Sequence, residues 1–402
     1  MPVAHDRGMS TAPCLAFTEN DLGGFKLIQK ALPLFRRLHA HATTRDRAGN
    51  RRLHFDEYLI LELVFFLNPV ITSMRGLVLA SALEGVQERL EIPATSLGSF
   101  SEAGGVFDPQ ELQAIIRELG AQLKPRPHDT RLEGLPGVLT AVDGTEISAL
   151  AKLVGWVQHR RDLKLHFSFE PLRGVPVAAN LTGAKDSEKV NLRQRLEPGR
   201  VYVKDRGYVD YHLFQQIVDI KSWFVCRLRD DSVRTVLADR GLSPEAQAAG
   251  ILSDQVVRLG GRDGQHSLHQ PLRIITVACT PHRKRCHTGY GGPAQGDHLT
   301  IATNLMDVPA EVIGLIYRQR WTVEIFFRFF KHILGCRHLL SHRPNGIMIQ
   351  VYLAIILCLL IALYTGRKVT LRTIEMLRLY FIGWAKLAEV EAHIATLQKV
   401  KA

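Results

Sequence analysis

The sequence has few cysteines, and they share no spacing. Cys14, Cys226, Cys279, Cys286, Cys336 and Cys358 are scattered over 402 residues. That distribution excludes a disulfide scaffold and fits free thiols in a reducing, intracellular compartment. No apolar run follows a basic stretch in MPVAHDRGMSTAPCLAFTEN, which argues against secretion, and Met9 is a second candidate start. No internal repeat is present, so solenoids and propellers are excluded. Acidic residues are in deficit: 39 Asp and Glu face 51 Lys and Arg, a net charge of +12 with 17 histidines in reserve. Such an excess suits a polyanion, nucleic acid first, or is simply solvated. Long apolar runs are scarce too. One, IMIQVYLAIILCLLIALY at 347–364, is 18 residues long with Gln350 its only strongly polar member, and by length it qualifies as a membrane span.

What is present is ordinary globular composition, 46% hydrophobic and 22% charged. Disorder throughout, collagen and a coiled-coil rod are excluded, and the length suits about two to three domains. Residues 1–24 are expected to be a flexible N-terminus. Over 25–130 apolar residues recur at three and four, as in Leu59, Leu63, Phe66 and Leu67, which predicts a helical domain. Ser96 to Ser101 opens a short helix after a turn, either a DNA-recognition element or an ordinary serine cap. Lys124-Pro-Arg-Pro-His-Asp129 is a proline-broken basic linker.

Beyond the linker, β-branched runs predict strands at 138–142, 164–169, 175–181, 201–203 and 223–228, with a helix at 211–220. The stretch 229–298 is basic and loop-rich, with one clear strand at 272–279, and is expected to be an insertion. A strand at 299–303, one long helix at 308–334, the apolar helix and a helical tail over 366–402 complete the chain.

Chemistry concentrates in three places. Tyr317, Arg320, Glu324 and Lys331 are three, four and seven residues apart, so on one helix they share a sector of about 60°. An Arg320–Glu324–Arg328 ladder on a solvated face would explain the charges. It would not explain Trp321, Ile325, Phe326, Phe327, Phe329 and Phe330, which make most of the circumference apolar. Ionic groups on a largely buried helix need partners or a site. Asp143 and Asp205 each end an apolar run just before a glycine-containing turn; singly, each also suits a turn or a helix cap. With Glu324 they make three carboxylates on separate elements, a donor set for Mg²⁺ or Mn²⁺. Two such ions about 3.5–4 Å apart can activate a water or a 3′-hydroxyl at a phosphodiester. Glu146, Asp186, Glu188 and Asp210 read as solvated acids. Cys279, His282, Cys286 and His287 lack the tight Cys-x2-Cys pair of a zinc site, and the basic run at 282–285 meets phosphate or solvent.

The chain resembles the transposases of the IS4 family, members of the DDE group. The resemblance rests on Asp143-Gly-Thr, Asp205-Arg-Gly-Tyr and the signature Tyr-x2-Arg-x3-Glu-x6-Lys, met by Tyr317, Arg320, Glu324 and Lys331. It implies an α/β fold: a ribonuclease H-like mixed sheet flanked by helices, with a catalytic core at 131–228 and 299–365, a mostly β insertion at 229–298, and an all-helical DNA-binding domain before it. It makes Asp143, Asp205 and Glu324 the catalytic metal ligands for Mg²⁺ or Mn²⁺. Tyr317, Arg320 and Lys331 would contact DNA phosphates, while Trp321 would stack on an unpaired base or fill the core. The implied activity is cleavage of the inverted-repeat ends of an insertion sequence and joining of 3′ ends to target DNA, through a hairpin and a paired, homodimeric synaptic complex in the cytoplasm at the nucleoid. The rivals are a nuclease of the same fold without strand transfer and an inactive transposase-derived DNA-binding protein. By the same resemblance the helix at 347–364 is a core helix, not a membrane span.

Overall fold

The structure, a computed structural model, describes residues 25–41, 50–125, 128–147, 163–183, 186–229, 232–260, 268, 270–279, 298–335, 339–341, 343–366 and 369–399. The first helices are α1 (Phe25–Arg36), α2 (Phe55–Leu67), α3 (Met74–Ser81), α4 (Glu84–Leu90), α5 (Leu97–Val106) and α6 (Leu112–Gln122). Strands β1 (Val138–Ile147), β2 (Leu163–Glu170) and β3 (Val175–Gly183) follow, then α7 (Glu188–Arg193), β4 (Arg200–Lys204), α8 (Tyr211–Asp219) and β5 (Trp223–Arg227). Next come β6 (Arg234–Asp239), α9 (Pro244–Ala248), β7 (Ile251–Leu259), β8 (Leu272–Ala278) and β9 (His298–Thr303). Five helices close the chain: α10 (Ala310–Arg318), α11 (Trp321–Gly335), α12 (Pro344–Thr365), α13 (Leu371–Phe381) and α14 (Leu387–Lys399).

One nine-stranded sheet runs in the order β3-β2-β1-β4-β5-β9-β8-β7-β6. Strands β4 and β5 lie parallel to β1, and every other pairing is antiparallel. Among its described residues, the stretch 229–298 holds two strands, β6 and β7, besides the one expected. They prolong the sheet beyond β9 and β8 instead of building a separate layer.

The 22-residue helix α12 is apolar around its whole circumference, and such a helix must be covered on every side. Its hydropathy would suit a membrane, but 94% of its most apolar window is buried inside the protein. α2, α5, α6, α11 and β3 pack around it. The expected helical domain therefore keeps no core of its own. One cluster runs from Ile28 and Phe35 through α2 and α12 to Phe167, Phe169 and Phe326. Gln350, 1% exposed, accepts the Leu340 amide N–H at 3.1 Å. At the crossing of α5, a Cβ on Gly104 would stand 2.6 Å from Ser341 Oγ and 3.4 Å from Gly346 Cα, so a larger residue would force Ser341 to move. Ser96 caps α5 by accepting the Ser99 N–H at 3.1 Å, and Phe100 and Ala103 face the core.

Each side of the rest of the sheet has its own cover. Leu139, Val201, Val203, Val225, Ile275 and Ile301 meet Val312, Ile313 and Ile316 of α10. On the opposite face Tyr202, Phe224 and Cys226 meet Leu213, Phe214 and Ile217 of α8. The single long helix expected at 308–334 is two. Around Gln319 and Arg320 the bonds shorten to i+3 (Arg320 N to Tyr317 O 3.1 Å, Val323 N to Arg320 O 3.2 Å), and the Thr322 hydroxyl donates back to the Gln319 carbonyl at 2.6 Å.

Candidate active site

Alternation along the strands aims the acids. On β1, Leu139 and Ala141 point to the face that α10 and α11 cover, and two residues on is Asp143. On β4, Val201 and Val203 point the same way, and two residues on is Asp205. The parallel register pairs Ala141 with Val203, so continuing it by two sets Asp143 beside Asp205. Asp143 does not end its strand as expected: β1 continues to Ile147, and Asp143 is paired with Phe167 of β2. Asp205 does follow its strand. Its Oδ1 accepts the Gly207 N–H at 2.8 Å, and its carbonyl accepts the buried Cys226 thiol at 3.3 Å.

α11 brings the third acid to the same face. Phe326, Phe327 and Phe330 pack on Phe167, the strand partner of Asp143, which brings Glu324 of the preceding turn towards Asp143. Arg320 Nη1 stands 2.7 Å from Glu324 Oε1 and 3.7 Å from Asp143 Oδ2. With its side chain 10% exposed, the guanidinium supplies the positive charge between the two carboxylates. Burial, with Asp205 and Glu188 adding repulsion, pushes the Asp143 carboxyl from its ordinary 3.8 up to about 7, against the pull of Arg320. Among the described residues, no set of three His, Cys, Asp or Glu stands close enough to hold a metal ion. Arg320 joins Asp143 to Glu324, and Asp205 is the neighbour of Asp143 across the strands.

Tyr317 is 7% exposed; burial pushes its hydroxyl up, against the pull of the nearby Arg320 charge. Trp321, 43% exposed, is not core filler; the Arg320 guanidinium carbon lies 5.1 Å from its ring centroid. The break at Gln319–Arg320 means that Tyr317 and Glu324 do not share one straight helix, yet the turn keeps Arg320 in reach of both. Lys331 is on α11, but its side chain lies outside the described residues, as do those of Thr145 and Glu146, residues 1–24 and residues 280–297, which carry most of the rejected zinc cluster.

Three acids expected to be solvated have partners. Asp210 Oδ1 caps α8 by accepting the Leu213 N–H at 2.9 Å, and it pairs with Arg193. Asp186 accepts the Gly183 N–H at 2.8 Å. Glu188, at the start of α7, is paired with Lys164 of β2 beside Gly144. Sequence reasoning passed over this pair; the one signal was the glycine directly after Asp143.

The profile described as "Transposase DDE domain" matches residues 135–361, which contain every acid above. The chain is 31% identical over 232 residues to the putative transposase y4zB of Sinorhizobium fredii, covering 56% of this chain and 60% of that one. It is 26% identical over 258 residues to a probable transposase for insertion sequence element IS5377 of Geobacillus stearothermophilus, covering 62% and 63%. A putative transposase for insertion sequence element IS4SA of Synechocystis aligns at 23% identity over 77% of this chain and 83% of its own. The first two relatives are thus matched over less than two thirds of their own length. A cryo-EM structure of the piggyBac transposase synaptic complex with hairpin DNA aligns over 96% of this chain and 83% of that chain, at 11% identity and a TM-score of 0.40, a likeness that carries no inference. With the profile spanning more than half of its residues, the chain belongs to the family of DDE-domain transposases.

Proposed function

We propose that this chain is an active transposase that binds the inverted-repeat ends of its own element, cuts them with Mg²⁺ or Mn²⁺, and joins the 3′ ends to target DNA. The observation that supports this most is the parallel pairing of β1 with β4 up to Ala141 and Val203, two residues before Asp143 and Asp205, with Arg320 in reach of both Asp143 and Glu324. The five strands β3-β2-β1-β4-β5, an antiparallel meander followed by two strands parallel to β1, suit a ribonuclease H-like core.

Asp143, Asp205 and Glu324 would hold the metal. The donor chemistry fits: carboxylate oxygens are the ligands that hard divalent cations take, and Asp143 and Glu324 already share one cation, the Arg320 guanidinium. A divalent ion held there would activate a water or a DNA 3′-hydroxyl and stabilise the leaving oxygen. The chain's own residues do the rest. Asp143 must give up its proton before it can serve as a ligand. Arg320, close to Tyr317, is a bidentate donor for a phosphate beside the cut, and Lys331 adds a point charge. Trp321, exposed at the start of α11, is available to stack on an unpaired base. A homodimer would bring two ends together, in the cytoplasm at the nucleoid.

The test is incubation of the full chain with duplex DNA carrying the inverted repeats that flank its reading frame, with Mg²⁺ and supercoiled target. Cleaved ends followed by joined 3′ products support the reading. Cleavage without joining assigns a nuclease, and DNA binding without cleavage an inactive derivative; either overturns it.

A further inference from the structure

Gly144 follows Asp143 and points to the opposite face of β1, away from α11. There the Lys164–Glu188 ion pair crosses the strand. A Cβ placed on Gly144 would stand 2.8 Å from Glu188 Oε1 and 2.9 Å from Lys164 Cε, closer than real Cβ atoms come. The pair is largely shielded from water, with side chains 18% and 21% exposed. Lys164 comes from β2, opposite Glu146 of β1, and Glu188 from the first turn of α7. Two elements thus clasp β1 one residue from the acid. A side chain at 144 would have to push the ends of Glu188 and Lys164 aside and so disturb the pair.

We propose that Lys164 and Glu188 are positioning residues for the acid site, holding β1 from behind at Gly144 and setting the negative charge that surrounds Asp143. The inference rests on the assignment of Asp143 to a metal site. Glu188 Oε1 lies 2.8 Å from where a Gly144 Cβ would stand, one residue from Asp143 and largely shielded from water, so the charge of either partner is felt at the acid site. The two partners therefore act with opposite signs. Removing the Lys164 charge leaves Glu188 uncompensated beside Asp143 and makes the site more negative. Removing the Glu188 charge leaves an uncompensated ammonium and makes it less so.

The experiment measures Mn²⁺ affinity of the full chain without DNA, at a pH above 8, by electron paramagnetic resonance of the free ion. Lys164→Gln should tighten binding about threefold to tenfold, Glu188→Gln should weaken it by a similar factor, and the double variant should return to within about twofold of the parent. Changes of the same sign in both single variants, or none in either, would overturn the proposal, since a purely structural pair would only lose affinity. Asp143→Asn is the control: if it leaves Mn²⁺ affinity unchanged, the metal-site assignment itself fails. Should a single variant not fold, thermal unfolding of Gly144→Ala decides. Its loss of Tm should be more than halved in a Lys164→Ala/Glu188→Ala background, where the space is vacated. An equal loss in both backgrounds contradicts the clasp.

Discussion

Arg320 is the residue whose replacement separates binding from chemistry. It touches Asp143 and Glu324, so its place is beside the cut and not on the distant parts of a DNA end. Arg320→Ala should lower cleavage on the order of 100-fold while changing end binding by less than about fivefold, because a donor aimed at the reacting phosphate counts most in the transition state. Gel-shift and cleavage assays on one substrate check this, and equal loss in both would contradict it. Asp143 adds a pH dependence. With its carboxyl at about 7, a proton competes with the metal. Mn²⁺ binding should therefore tighten as pH rises from 6 to 8 and release a proton at the lower end of that range, which calorimetry in two buffers would detect. An affinity independent of pH would place the metal elsewhere. That Asp205 follows a strand was legible, because an apolar run ending in Asp-Arg-Gly has a mechanical meaning; that β1 runs on past Asp143 to Ile147 was not, because Gly144 interrupts the apolar run without ending the strand. The Lys164–Glu188 clasp was not, since its halves lie on different elements and only the missing Cβ of Gly144 hints at it.

At the scale of elements, α12 and α2 carry the interior. Ile355 is fully buried in α12, and Ile355→Ala should cost about 2–5 kcal/mol, read as a lower Tm. The helix α2 buries acids along with its apolar residues. Glu62 is 0% exposed, and burial pushes its carboxyl from an ordinary 4.5 up to about 8. Between about pH 4.5 and 8 the unfolded chain releases a proton that the folded chain keeps, so stability falls across that window and levels off above it. Glu62→Gln should abolish this part of the fall and unfold at a higher temperature than the parent at pH 8.5. A parallel decline in both proteins would show that Glu62 is not the titrating group. The apolar-run strands were readable because each has a buried face or two. β6 was not, as all six of its residues are exposed, and bulges break the alternation where β7 meets both β6 and β8. The break between α10 and α11 has no glycine or proline to announce it; a threonine hydroxyl and four i+3 bonds make it.

Over the whole molecule, the net charge of +12 has to meet a polyanion for the account to hold. Binding to duplex DNA should fall steeply with salt, with a slope of about −0.9 per phosphate neutralised, and a flat dependence would argue against DNA as the partner. Because α12 is buried among other helices and β3, the protein should stay in the supernatant when cells are broken without detergent. Recovery only in detergent-extracted membranes would contradict the packing. The sharing of one core between the first helices and α12 was hidden in the sequence for a related reason: periodicity marks which residues of a helix are buried, not which distant helix buries them.

The central claim is that Asp143, Asp205 and Glu324, from three separate elements, work as one metal-holding unit. The most direct measurement is Mg²⁺-dependent cleavage of the inverted-repeat end by Asp143→Asn, Asp205→Asn, Glu324→Gln and the three double variants, alongside DNA binding by each. Each single variant should lose several orders of magnitude in cleavage and still bind DNA, and the doubles should be little worse than the singles, because ligands of one site fail together. Any single variant that keeps Mg²⁺-dependent cleavage, or losses that simply multiply in the doubles, would contradict it.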